Sequence, residues 1–271
     1  MKIENKVIVV TGGASGIGLA LTKAFLARDT KAVYALDIDE GKLQSLRTWG
    51  TELRGKFAGI RVDVTDESSY RSALNEIEES EGSVDILCSN AGIARSGGVE
   101  TPNQLWNESF QVNVMAHVYG SRAVLNGMIE KGEGYLVYTA SAAGLLTNLG
   151  AAPYSVTKHA AVALAEWMAI TYGPLGIRVS CLAPQGVNTQ MLFPEEPGTT
   201  TSKESISQTA VLAFGEVLEP EFVAARVLEG IEKEEFLILP HPQVRKYLAN
   251  KVTDYDRWIR TMSKVNRALS S

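Results

Sequence analysis

The run Lys6-Val7-Ile8-Val9-Val10-Thr11-Gly12-Gly13-Ala14-Ser15-Gly16-Ile17-Gly18-Leu19-Ala20 constrains the chain more than any other stretch. Its opening is apolar and β-branched, which reads as a strand covered on both faces. Small residues then interrupt it. Beyond them Ile17, Leu21 and Phe25 recur with helical spacing. Strand, glycine turn and helix in this order form a cradle for phosphate. The glycines let the backbone come close, and the helix N-terminus offers free N–H groups and a positive dipole end. Gly12, Ser15, Gly16, Ile17 and Gly18 are the candidate contacts.

The same alternation continues along the chain. Strands are predicted at 6–11, 32–37, 60–64, 84–89, 134–141, 178–183 and 236–239. Helices are predicted at 16–27, 40–49, 67–79, 102–130, 153–172 and 220–232. Unbroken apolar strands alternating with helices imply an α/β fold: a Rossmann-like, doubly wound parallel sheet of about seven strands, with helices on both faces. No repeat and no linker divides the 271 residues, so one domain is expected over 1–271. Two segments stand apart. Residues 190–210, rich in Pro, Gly, Ser and Thr, read as a mobile excursion, a lid in prospect. The tail, 240–271, has near-helical apolar spacing and carries seven Lys/Arg against two Asp. It reads as a helix packed on its own fold or at a subunit contact, the alternative being a membrane or partner helix.

Net charge −5 and a pI of about 5.4 argue against a nucleic-acid groove or an anionic membrane surface. The only cysteines, Cys88 and Cys181, sit in separate apolar runs, so free buried thiols and a reducing cytoplasm are expected. Neither a secretory h-region nor a membrane-length apolar helix is visible. His117, His159 and His241 are scattered and make no metal set.

Two further patterns carry chemistry. Asp37 ends the second strand about 20 residues past the glycine loop, where a carboxylate accepts hydrogen bonds from an adenosine ribose and repels a 2′-phosphate. Ser15 and Ile38 supply no cation for that phosphate, so NAD is expected over NADP. The alternative for Asp37 is a strand-end acid that caps the next helix. In Tyr154-Ser155-Val156-Thr157-Lys158, phenol and ammonium share one helical face. A fixed positive charge favours phenolate and lowers a pKa that starts near 10. Tyr154 can then exchange a proton with an alcohol or ketone oxygen. Ser141, at the carboxyl end of the fifth strand, can hold that oxygen, or it can simply cap a turn.

Thr11-Gly12-x-x-x-Gly16-x-Gly18, Asp37, Asn90-Ala91-Gly92, Asn113, Ser141 and Tyr154-x-x-x-Lys158 occur in an order that resembles the short-chain dehydrogenase/reductase family over roughly 5–240. The resemblance implies that Asp63 and Val64 lie beside the adenine and that Lys158 also holds the nicotinamide ribose. It implies that Asn113 holds a water relaying protons to the lysine, and that Val187 and Thr189 reach the carboxamide. Asn90 is assigned mainly to structure, with Ala91 and Gly92 giving the cofactor room. Family members commonly have Pro-Gly after the sixth strand. Here Pro184 is followed by Gln185, whose direction the sequence leaves open. Tetramers are frequent in the family, so a homotetramer or homodimer is expected.

The reading is an NAD-dependent oxidoreductase that interconverts a secondary alcohol and a ketone. Ser96, Ala142, Ala143, Gln185, Met191 and Leu192 are expected to form the substrate pocket, flanked by Gly144, Leu145 and Phe193. Arg95 is the one nearby cation, so a neutral, moderately apolar small molecule is expected. The alternatives are an NADP-dependent biosynthetic ketoreductase and a dinucleotide-sensing protein without turnover.

Overall fold

A computed structural model describes residues 1–50, 56–194 and 202–269. Seven parallel strands form one sheet in the order β3-β2-β1-β4-β5-β6-β7. They are β1 (Val7–Thr11), β2 (Ala32–Asp37), β3 (Lys56–Arg61), β4 (Ile86–Ser89), β5 (Gly134–Thr139), β6 (Ile177–Leu182) and β7 (Leu237–Ile238). Register runs Val7 opposite Ala32 and Ile8 opposite Ile86, so β1 lies between β2 and β4. Strand order reverses there, and the crevice outside such a switch point is where open α/β sheets take ligands.

Alternate side chains of each strand feed opposite layers. Val7 and Val9 pack with Leu74 and Ile77 of α3 (Glu67–Glu81), Val124 and Met128 of α5 (Ala116–Lys131) and Ala161 and Ala165 of α6 (Ala152–Tyr172). Ile8 and Val10 pack with Leu21 and Phe25 of α1 (Gly16–Leu26) and Val227 and Ile231 of α8 (Pro220–Glu232). α2 (Glu40–Gly50) adds Leu43 and Leu46 against Ala35. Both faces are covered, which is why the central strands read as unbroken apolar runs.

Four expectations change. The third strand is Lys56–Arg61, not 60–64. It is the outer strand, with both ends exposed, so Lys, Gly and Arg are tolerated and the apolar run rule missed it. The helix expected over 102–130 is α4 (Asn103–Phe110), one π turn (Gln111–Met115) and α5. Part of the excursion 190–210 is ordered: α7 spans Ser202–Phe214, while 195–201 fall outside the described residues. The tail is two helices, α9 (Gln243–Thr253) and α10 (Tyr255–Leu269), parted at Asp254.

Gly18 has no room for a side chain. A Cβ there would sit 1.9 Å from the Gly12 carbonyl oxygen and 2.7 Å from Asn90 Nδ2. Gly18→Ala is expected to destabilise the fold by about 2 kcal/mol or more, as overpacking against backbone does. An unchanged melting curve would refute this.

Two imidazoles are buried in the neutral form. His117 Nδ1 lies 2.6 Å from Ser89 Oγ, and burial, helped by the Lys158 charge, holds the ring down to about 3. Burial also lowers His241, against the opposing pull of its backbone partners. Unfolding lets both rings take up protons near the ordinary value, so their contribution is whole above about pH 6.5 and is lost as the pH falls. Each contributes at most about 1.4 kcal/mol per pH unit. His117→Gln should therefore flatten the fall of denaturant-measured stability between about pH 6 and pH 4. An unaltered slope would remove the buried ring as its source.

Candidate active site

The carboxyl ends of β1, β4, β5 and β6 open into one cavity of about 1080 Å³. Its first wall is the glycine loop. Gly12 has φ +62° and Gly16 φ +49°, conformations that suit glycine. A Cβ on Gly16 would lie 3.1 Å from Thr189 Cγ2, so the loop and the turn after β6 face each other at close range. Ser15 occupies the N-cap of α1 and makes no side-chain cap bond there. That leaves a helix N-terminus with a spare hydroxyl at the cavity edge.

Asn90 knots the strand ends. Its N–H donates to Thr11 Oγ1 at 2.9 Å, its Nδ2 to the Thr11 carbonyl at 3.1 Å, and its Oδ1 accepts from Thr139 Oγ1 at 3.1 Å. These bonds tie the ends of β1, β4 and β5 together, and Asn90 also lines the cavity.

The floor holds Ser141, Tyr154 and Lys158. Ser141 follows β5 and caps a short 3-10 turn (Ala142–Gly144), with Oγ accepting from Ala143 N–H at 3.1 Å. Pro153 starts α6 without sacrificing a helical hydrogen bond, and Tyr154 and Lys158 follow on one face. Lys158 is 2% exposed; its Nζ donates to the Thr139 carbonyl at 2.8 Å and lies 5.7 Å from the Tyr154 ring centre. Burial lowers the ammonium to about 8.

Tyr154 departs from expectation. Burial raises its phenol, and the opposing influence is a hydrogen bond from Ser141, not the lysine. Loss of hydration outweighs what the protein's own groups do to stabilise phenolate.

Asn113 sits in the π turn and is fully buried. Its Oδ1 accepts from Ile93 N–H at 2.9 Å, and its Nδ2 donates to the Ile93 carbonyl at 2.9 Å and to Thr157 Oγ1 at 3.0 Å. Both amide hydrogens are committed, so the side chain braces the segment after β4 against α6. It does not line the cavity. A Cβ on Gly92 would meet both Asn113 Oδ1 and Lys158 Nζ at 3.3 Å, which shows how closely the two converge.

Ala91, Gly92, Ile17, Pro184, Val187 and Thr189 also line the cavity. So do the expected substrate residues Ser96, Ala142, Ala143, Gln185, Met191 and Leu192. Gly144, Leu145 and Phe193 do not. Gly144 packs on the α6 backbone, where a Cβ would meet the Lys158 carbonyl at 2.3 Å. Arg95 lines the wall and pairs with Glu108 at 3.2 Å. Gln185 faces the cavity while its Oε1 accepts from Gln243 at 3.3 Å. Its N–H donates to His241 Nδ1 at 3.1 Å, and His241 Nε2 is held by the Gly186 and Glu216 carbonyls.

Gly18, packed against Gly12 and Asn90, does not line the cavity; Asp37, Ile38, Asp63 and Val64 also lie outside its walls, at the ends of β2 and β3. Asp37 is buried and braces the glycine loop, accepting from Ala14 N–H at 3.0 Å and from Asp39 N–H at 3.1 Å. Each oxygen keeps a lone pair for a further donor. Asp63 is exposed and accepts from Thr65 N–H and Oγ1.

Sequence reasoning missed the tail's share of the wall: Tyr247, Asn250, Asp254, Arg257, Trp258 and Met262 all reach the cavity. The helical spacing was visible there, but not which face would meet the site. Arg61 was also missed; its Nε donates to the Ile38 carbonyl at 3.3 Å, next to Asp37.

The residues present fit a nicotinamide dinucleotide: a glycine cradle at a helix N-terminus, a passage past Asn90–Gly92 and a hydroxyl-phenol-ammonium floor form one continuous cavity. A family model described as short chain dehydrogenase matches residues 6–198. A 1-deoxy-11-beta-hydroxypentalenate dehydrogenase of Streptomyces exfoliatus is 30% identical over 96% of this chain and 91% of its own. A meso-2,3-butanediol dehydrogenase of Serratia marcescens is 31% identical over 83% of this chain and 86% of its own. A crystal structure of a short chain dehydrogenase/reductase from Burkholderia phymatum in complex with NAD superposes with a TM-score of 0.83 at 28% identity, covering 94% of this chain and 96% of that one. On its sheet, its motifs and these likenesses, the chain belongs to the short-chain dehydrogenase family.

Proposed function

We propose that this protein is an NAD-dependent oxidoreductase that interconverts a secondary alcohol and a ketone. The observation that carries the reading is the floor of the cavity, which Ser141, Tyr154 and Lys158 line together, with the Lys158 ammonium 5.7 Å from the Tyr154 ring centre. When bound, the nicotinamide would accept or deliver the hydride. The chain's own groups do the rest. Ser141 positions the substrate oxygen, Tyr154 takes or gives the proton on it, and Lys158 supplies positive charge and a donor for the ribose. Asn113 holds the wall that keeps Lys158 in place.

The relatives' names support chemistry at an alcohol: besides those above, one is a 2-(S)-hydroxypropyl-CoM dehydrogenase and another a 2,5-dichloro-2,5-cyclohexadiene-1,4-diol dehydrogenase. Ala142, Leu146, Met191 and Leu192 with Ser96 and Gln185 make a mainly apolar substrate end. A neutral, moderately apolar alcohol or ketone suits it. We read residues 1–271 as one domain, at work in the cytoplasm as a homo-oligomer. Free buried thiols and the lack of a membrane-length helix among the described residues agree with the first setting. Ile170, 77% exposed, and Trp167, 56% exposed, give α6 an apolar outer face for the second.

Tyr154→Phe should cut kcat/KM in a secondary-alcohol and ketone panel by about 100-fold or more, the usual contribution of a positioned acid–base group, and leave NADH binding intact. Activity that survives the change would give the proton step to another group.

One observation favours the NADP reading: Arg61, on the Ile38 carbonyl, stands near enough to Asp37 to suit a 2′-phosphate. The carboxylate of Asp37 favours NAD. NADH is expected to bind at least about tenfold more tightly than NADPH, and Asp37→Asn to narrow the gap. Tighter NADPH binding by the unaltered protein would hand the choice to Arg61.

A further inference from the structure

The substrate end of the cavity is closed by α9, which buries Val244 against Ala142, Ala183 and Leu239, and by α10. α10 has no buried residue. Trp258 and Met262 line the main cavity on one side. On the other they line a shallow surface groove of about 370 Å³, together with Gly97 and Ile259. α10 is therefore a wall one side chain thick between the site and solvent.

One residue ties this wall to the floor. Lys251, near the end of α9, is 5% exposed, and no carboxylate among the described residues pairs with it. Its Nζ donates to the Leu145 carbonyl at 2.7 Å and the Leu146 carbonyl at 3.0 Å. It also lies 4.9 Å from the Trp258 ring centre and 5.4 Å from that of Tyr255. A buried ammonium without an anion is unfavourable unless dipoles and ring faces surround it, and here both do. Leu145 and Leu146 directly follow the turn that Ser141 caps, and Leu146 itself lines the cavity.

We propose that Lys251 is a positioning residue that latches the C-terminal helices over the site, and that through it Trp258 and Met262 select substrates with a large apolar body. The inference rests on the alcohol-ketone reading for its substrate class, but not for the latch. The ammonium binds floor and cover at once: the carbonyls belong to the loop after Ser141, the rings to α10. A bulky apolar alcohol reaches the cover and gains contact from it. A small one is held by the floor alone.

Lys251→Met keeps most of the stem and removes the charge and donors. In the full chain, chymotrypsin cleavage at Tyr255 and Trp258 should quicken by about tenfold, the consequence of losing roughly 1.4 kcal/mol of closure. The ratio of kcat/KM for 1-tetralol to that for 2-butanol should fall by a similar factor, about tenfold, carried by KM. Lys251→Arg, which retains charge and donors, should restore both. Unchanged cleavage and an unchanged ratio in Lys251→Met would overturn the latch, as would an arginine variant as loose as the methionine one. Should the methionine variant not fold, Trp258→Leu, at the less buried partner, is read for cleavage at Tyr255 alone: quicker cleavage supports the latch and an unchanged rate overturns it. If neither alcohol is turned over by the unaltered protein, the activity reading fails while the cleavage rates still judge Lys251.

Discussion

A side-chain amide at the end of β4 holds the active edge of the sheet together. Parallel strands end with carbonyls and N–H groups that have no further strand partner, and left alone these ends would splay or bind water. Asn90 makes three hydrogen bonds across these ends, one to the Thr11 carbonyl and two with the Thr11 and Thr139 hydroxyls. It meets Thr11 on β1 with both its backbone and its side chain, and Thr139 on β5 through its carbonyl oxygen. The carbonyl of Thr139 in turn receives Lys158. The glycine loop and α6 thus hang from one short chain of hydrogen bonds across the switch point. Gly12 and Gly18 are glycines partly because Asn90 is there: a Cβ on either would crowd its Nδ2.

Electrostatically, the site is a region of withheld hydration. Lys158 is pulled down to about 8, Tyr154 is pushed up, and His117 behind them is held neutral, in each case chiefly by burial. The protein alone does not make a ready phenolate. It brings a reluctant phenol and a reluctant ammonium together in low dielectric, where any further positive charge acts strongly on both. A phenolate at Tyr154 therefore calls for further positive charge in the crevice.

What was legible in the sequence was what local rules govern. Glycines at forced conformations, apolar strands covered on both faces and a phenol one helical turn from an ammonium all leave their mark on neighbouring residues. The π turn around Asn113 left none, since it arises where the amide must reach Ile93 and Thr157 on other elements. β3 was displaced because an outer strand needs only one apolar face. In the protein alone burial outweighs the charge inferred from spacing at Tyr154, because desolvation depends on everything folded around the ring. Asp37 was legible as a strand-end acid, but not as the acceptor of Ala14 N–H, a contact between segments 23 residues apart.

The division between chemistry and selectivity follows the same line. Ser141, Lys158 and Asn90 are set by strand ends and by hydrogen bonds to backbone, so their positions are fixed by the fold itself. The other walls of the cavity come from the turn after β6, from α7 and from the tail, which are joined to one another by isolated contacts: Gln185 with Gln243, Gln208 with the Leu192 carbonyl, Tyr247 with the Phe214 carbonyl. An amphipathic tail announces that one face will be covered, but its pattern is the same whether the cover is a bilayer, another subunit or its own active site. Only a contact such as Lys251 on the Leu145 and Leu146 carbonyls distinguishes these cases, because it needs a particular loop at a particular distance. The Asn90 knot itself passes through none of these walls, whereas the Pro184 carbonyl after β6 accepts from the Ser141 hydroxyl and from Ala142 N–H and so joins that turn to the floor.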